Sequence, residues 1–271
     1  NIPTAGVENL LGRVPEGVRE VIGRRLDRLS ETCNSILTLA AVISRHFRVS
    51  VLAKASRLPE ADVYRALTEA EGARLIEAVP GRVDEYEFTH PLMRETLYDE
   101  LSTLVRANLH RDIAEAIEET EATRLQSYLP QLAHHYFEAS RSGQASKALE
   151  YCSAAAKQAM GQLAPDESAS FCEMAIQALH LIDDRDEVTE CELLVEMGHA
   201  QRDSGDLIEA AATFRRAVEM AENANAPELV AHAALGFEET MWRPGWPGHE
   251  AVRLLDQALA ALPRADSDLR S

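Results

Sequence analysis

LLVEMGHAQRDSGDLIEAAATFRRAVEMA, residues 193–221, is the stretch on which the fold turns. Leu194, Met197 and Gly198 precede a turn at Gly205, and Ala210, Phe214 and Ala217 follow it. Both runs place apolar or small residues three or four apart, the spacing of one helical face. Gly198 and Ala210 let two antiparallel helices touch, and Phe214 is expected to fill the space between neighbouring hairpins.

Outward from this hairpin the pattern recurs. Cys152, Ala155 and Ala156, then Ser168, Cys172 and Ala175, repeat it upstream; Leu235 and Gly236, then Ala251, Leu255, Ala258 and Pro263, repeat it downstream. The last copy carries extra residues in its turn, RPGWPG at 243–248. The matching small positions, 168, 210 and 251, lie 42 and 41 apart, against roughly 34 in the strict tetratricopeptide motif. The array therefore resembles tetratricopeptide repeats with lengthened helices or turns. Its cysteines stand where medium apolar side chains belong, which favours packing over chemistry. Leu129 to Phe137 is expected as a leading helix outside the pairing. PRADSDLRS, 263–271, reads like the loop before another helix, so the array is expected to be cut short.

Composition agrees with a helical chain. The 271 residues are 46 % hydrophobic and only 5 % aromatic, and small side chains let helix axes approach. The formal charge of −18 is uneven: about −3 over residues 1–100 and about −15 over 101–271. An acidic array repels phosphate backbones. Cys33, Cys152, Cys172 and Cys191 form no C-x-x-C pair, which argues against a disulfide framework or zinc site and fits a reducing cytoplasm. ILTLAAVI, 36–43, is far shorter than the roughly 20 residues of a membrane-spanning helix.

Upstream of the array, VPEGVREVIGRRLDRLS (14–30) puts Pro15 at a first helical position and repeats Val18, Ile22, Leu26 and Leu29 on one face. Ser30 can cap a second helix running to Ile43. After HFRVS a short helix covers Val51 to Ser56, and Pro59 with Glu60 opens a longer one with Val63, Ala66 and Leu67. LIEAVP (75–80), GRVDE (81–85) and YEFTH (86–90) then read as a two-stranded hairpin turning at Pro80 and Gly81. Helices followed by a hairpin is the order of a winged helix. Direct DNA binding is disfavoured, because ADVYRALTEAEGARL (61–75) sets Arg65 and Arg74 against Asp62, Glu69 and Glu71, and the wing is acidic.

Motifs of catalysis are missing. No G-x-x-x-x-G-K-[ST], H-E-x-x-H or G-x-S-x-G occurs, and none of the three lysines follows a glycine. His134 and His135 point about 100° apart on a helix and cannot share one ion. DDRDE, 183–187, reads as a solvated loop. Arg24, Arg25 and Arg28 form the one basic cluster, suited to docking a neighbouring domain. Trp242 and Trp246 either anchor a partner or pack the long turn against the next hairpin.

His90 falls where the hairpin enters the helix opened by Pro91, beside backbone N–H groups able to hold an anion. It is either a structural cap or a ligand contact. FTHPLMRETLYDEL (88–101), with VPEGVREVIGRRLDRLS and ILTLAAVISRHF (36–47), resembles the region after the ATPase core in bacterial STAND regulators, including LuxR-type activators and proteins bearing adenylate-cyclase domains. That resemblance implies a winged-helix histidine contacting ADP phosphate. His90 matches it, Thr89 stands at the Met of the Met-His-Asp motif, and Pro91 replaces the Asp.

The expected fold is mainly α: a winged-helix domain with one short hairpin, then an α-solenoid of tetratricopeptide-like hairpins. The expected boundaries are a linker at 1–13, the winged helix at 14–103, a connector helix at 104–124 and the array at 125–271. The resemblance implies a non-catalytic regulatory piece, with an upstream ATPase core as partner in cis and a protein or small-molecule effector on the repeats. It also implies no cofactor in this chain itself, ADP or ATP with Mg being held by the intact parent. A plain protein-binding scaffold is the alternative.

Overall fold

The protein is described by a computed structural model covering residues 16–242 and 248–262. Residues 1–13, Pro15, Trp246 and Pro263 lie outside the described residues. The fold is mainly helical, and chain contacts divide it into two compact units, Asn1–Leu125 and Gln126–Ser271.

The first unit runs α1 (Glu16–Leu26), α2 (Glu31–Ile43), β1 (His46–Arg48), α3 (Val49–Ser56), α4 (Glu60–Gly72), β2 (Ile76–Ala78), β3 (Glu85–Phe88), α5 (Pro91–Asp99) and α6 (Thr103–Thr120). Ser30 caps α2, its hydroxyl accepting from the Cys33 N–H at 3.1 Å. The same residue donates through its N–H and hydroxyl to Glu69, at 2.7 and 2.6 Å, which ties the start of α2 to the end of α4. Cys33, Ile36, Leu37, Ala40 and Ala41 are buried, as a helix apolar on most sides requires.

One expectation is corrected here. The sheet has three strands in the order β1-β3-β2, not a lone hairpin, and both pairings are antiparallel. HFRVS, after which the short helix was expected, supplies β1 and the start of α3. Phe47 pairs with Tyr86 and buries its ring 5.8 Å from that of Phe88. A two-stranded ribbon is marginal alone, and a third strand with a core-facing aromatic stabilises it. Gly81, at φ +79, permits the turn between β2 and β3.

Residues 104–124, expected as a connector, supply most of α6, which packs on α3 and α2 within the first unit. Ile113, Ala114 and Ile117 are its buried face. Beyond it, Glu121 is buried and accepts from Arg48 and Arg124, both at 2.6 Å.

The second unit contains α7 (Leu129–Ala139), α8 (Ala145–Gly161), α9 (Pro165–Leu179), α10 (Glu187–Ser204), α11 (Leu207–Asn223), α12 (Pro227–Met241) and α13 (His249–Ala261). Each helix packs on the next, giving a chain of antiparallel hairpins. Proline opens α9 and α12, where its missing N–H costs nothing. Asp186, in the run read as a loop, caps α10 by accepting from the Val188 and Thr189 N–H groups, both at 3.2 Å. Gly205 ends α10 in the left-handed conformation.

Small residues set the helix spacing, and Phe214 fills what they leave. A β-carbon on Gly198 would lie 2.8 Å from the Phe214 ring, and one on Gly236 would lie closer still. The ring is fully buried between α10 and α12, a burial worth about 1.5–3 kcal/mol. Ala210, Ala217 and Ala221 are buried on the same helix as the ring.

Candidate interaction site

The first helices of three successive hairpins, α8, α10 and α12, line an open groove in the second unit. Its volume is about 650 Å³, and its walls include Lys157 from α8, Val188, Glu192 and Glu196 from α10, and Leu229 and His232 from α12. On α10 the residues facing it recur at 188, 192, 195 and 196, so the helix carries this face beside the one packed against α11.

A smaller recess of about 270 Å³ shares Lys157 and Glu196 with the groove and is also lined by Met160, Ser168 and His199. Lys157 Nζ lies 3.4 Å from Glu196 Oε1. Ser168 is 1 % exposed, yet its Oγ has no hydrogen-bond partner. The Cys172 thiol, one turn on, is close enough to feel that hydroxyl, but no geometrically sound bond joins them. Burial, with Arg202 nearby, pulls the His199 pKa below the ordinary histidine range, so the imidazole tends to the neutral form. Its ring meets Phe214 edge-on at 5.1 Å. Arg202 pairs with Glu239 and so links α10 to α12.

Glu190, buried at the start of α10, accepts from Arg216 at 2.7 Å and from His180 at 3.0 Å. These contacts join α9, α10 and α11. A buried charge held by two partners is a structural clamp here, since it lines no cavity described above.

All four cysteines are buried. Burial pushes the thiols of Cys152 and Cys172 up to about 12 and those of Cys33 and Cys191 up to about 11, which withholds the thiolate nucleophile. Among the described residues no group of three His, Cys, Asp or Glu side chains is placed to hold a metal ion. His134 is exposed while His135 is buried, on different sides of α7. No helix among the described residues is long and apolar enough to cross a membrane.

The residues singled out in the sequence fall in both units, and none of those described lines the groove. His90 is exposed and caps α5, its Nδ1 accepting from the Leu92 N–H at 3.2 Å. Beside it Thr89 Oγ1 donates to the carbonyls of Arg74 and Leu75, at 3.0 and 3.2 Å. Arg24 and Arg25 are exposed in the last turn of α1, with Arg28 exposed just beyond. Trp242 is 76 % exposed at the end of α12 and does not line the groove.

The groove residues belong to no catalytic motif and to none of the small packing positions, so the sequence alone does not single them out. Their signal is a second periodic face on α10, at 188, 192, 195 and 196.

No protein-family model and no curated protein matches the chain. A solved structure of a signal transduction ATPase with numerous domains (STAND) with a tetratricopeptide repeat sensor, from Pyrococcus horikoshii, is similar at 13 % identity with a TM-score of 0.29. The likeness covers 90 % of this chain and 40 % of that one, so the chain spans well under half of that protein's length.

Proposed function

We propose that this chain is a non-catalytic regulatory and protein-interaction piece of a STAND-type signalling ATPase. In this reading the second unit presents its groove to a partner. The first unit is a winged helix that closes over nucleotide held by an ATPase core elsewhere in the protein, with Arg24, Arg25 and Arg28 docking that core. The observation that carries the reading is the groove: three successive hairpins contribute to one open surface.

Support for the winged helix comes from element order. Helix α2, strand β1, helices α3 and α4, and the β2–β3 hairpin follow one another, with β3 central in an antiparallel sheet. Support for the regulator comes from the resemblance carried by residues 88–101. His90 would donate to an ADP phosphate, and effector binding would release the closed state.

The test is ADP dissociation from a protein carrying this chain together with a nucleotide-binding core. Faster release in His90→Ala than in wild type is the expected result, and equal rates would remove the nucleotide role. A plain scaffold is the second reading, and one observation favours it: the His90 imidazole already has a task, capping α5.

A further inference from the structure

This inference rests on the groove being a docking site and names what docks there. The groove is electrically one-sided. Glu192, Glu196 and Glu228 line it against the single amine of Lys157, which already neighbours Glu196. Glu192 and Glu228 are exposed, and neither has an ion-pair partner among the described residues. An acidic or phosphorylated partner would be repelled; a cation would gain two open carboxylates.

The same groove offers Val188, Val195 and Leu229 as apolar surface. Lysine and arginine side chains suit such a pairing of chemistries, laying an apolar stem along the wall and a charged head on carboxylate. The adjoining recess adds an independent polar feature. Ser168 occupies the position that is Ala210 and Ala251 in the following hairpins, where packing needs no hydroxyl. Its buried Oγ is unbonded, and the residue lines the recess. Buried polar groups without partners are costly, so a donor arriving from the groove has an acceptor waiting.

We propose that the groove between α8, α10 and α12 binds a basic peptide segment of a partner protein, one carrying Lys or Arg beside apolar residues. Its cationic heads rest on Glu192, Glu196 and Glu228, and one reaches Ser168 through the recess. The apolar walls and the open form favour a peptide over a small polyamine.

The test is calorimetric titration of the 271-residue chain with a short synthetic peptide of alternating arginine and leucine. The same peptide with glutamate for arginine, and spermine, serve as comparisons. Three variants complete it: the groove pair Glu192→Gln/Glu228→Gln, the pair Glu209→Gln/Glu222→Gln on α11 with equal charge loss outside the groove, and Val188→Arg, which obstructs the groove. Thermal melts check that each folds. The basic peptide should bind the chain, lose about tenfold in affinity in the groove pair, and keep its affinity in the α11 pair. No binding of the basic peptide, or spermine binding as tightly, overturns the proposal. Equal loss in both pairs reduces the binding to net charge and overturns the groove as well. Binding of the glutamate peptide that Val188→Arg abolishes would keep the groove as a docking site and overturn only the cationic partner.

Discussion

The ring of Phe214 occupies the space in which Gly198 would carry a side chain, with a β-carbon there falling 2.8 Å from the ring. Gly236 meets the same ring from the following hairpin. One aromatic side chain thus sets the approach of α10 and α12 to α11.

Gly198→Ala should destabilise the protein although alanine is the better helix former. The propensity gain is about 1 kcal/mol, whereas overpacking against a ring held on both sides costs about 1–3 kcal/mol. Phe214→Leu alone should also destabilise, but combining it with Gly198→Ala should cost less than the two separately. Denaturant melts of the double-mutant cycle check this, and strict additivity would mean the ring and the glycine do not share one space.

Arg216→Ala should destabilise the second unit by about 1–3 kcal/mol, the cost of removing a charged hydrogen-bond partner from a buried carboxylate. Glu190 would be left with His180 as its remaining partner of the two. Arg215→Ala, which removes an ion pair to the less buried Glu250, should cost less. Urea midpoints of the two variants at neutral pH give the comparison.

The first unit should lose stability in acid through Glu121. Burial by itself would raise the pKa of this carboxyl; hydrogen bonds from Arg124 and Arg48, with their charges, outweigh burial and hold it below the ordinary glutamate range. A depressed folded-state pKa contributes stability that is present above the unfolded value of about 4.3. That stability is lost as pH falls through the lower, folded value. Glu121→Gln should therefore flatten the acid side of the stability curve as well as lower the plateau. Melts across the acid range, wild type beside variant, measure both.

None of the four cysteines should react with a thiol reagent in the native protein near neutral pH, because Cys33, Cys152, Cys172 and Cys191 are fully buried and their pKa values lie at about 11 to 12. All four should react once guanidinium unfolds the chain. Rapid labelling of Cys152 or Cys172 in the folded state would contradict the packing of α8 on α9.

His90→Ala should lower the stability of this chain by about 0.5–1 kcal/mol, the usual value of a lost N-cap. His90→Asn, which can accept the same Leu92 N–H, should restore most of it. A melt rescued by Asn together with ADP release left fast in the nucleotide-bearing protein would separate the imidazole's ligand role from its capping role.

Helical hairpins, their small and large positions and their caps were legible in the sequence because each depends on residues a few positions apart. Ser30 marks the start of α2, and Gly198, Ala210 and Phe214 mark a close-packed hairpin. Other features depend on residues brought together from far along the chain. Strand β1 exists because Phe47 meets Tyr86 and Phe88, some 40 residues on. Glu190 reads as one more surface acid until Arg216 and His180 close over it. The groove likewise needs α8, α10 and α12 side by side, which aligns Lys157, Glu192 and His232 across helices that are not neighbours in sequence. Local spacing determines which face of a helix is buried; only the packing of one hairpin on the next decides what the remaining faces enclose.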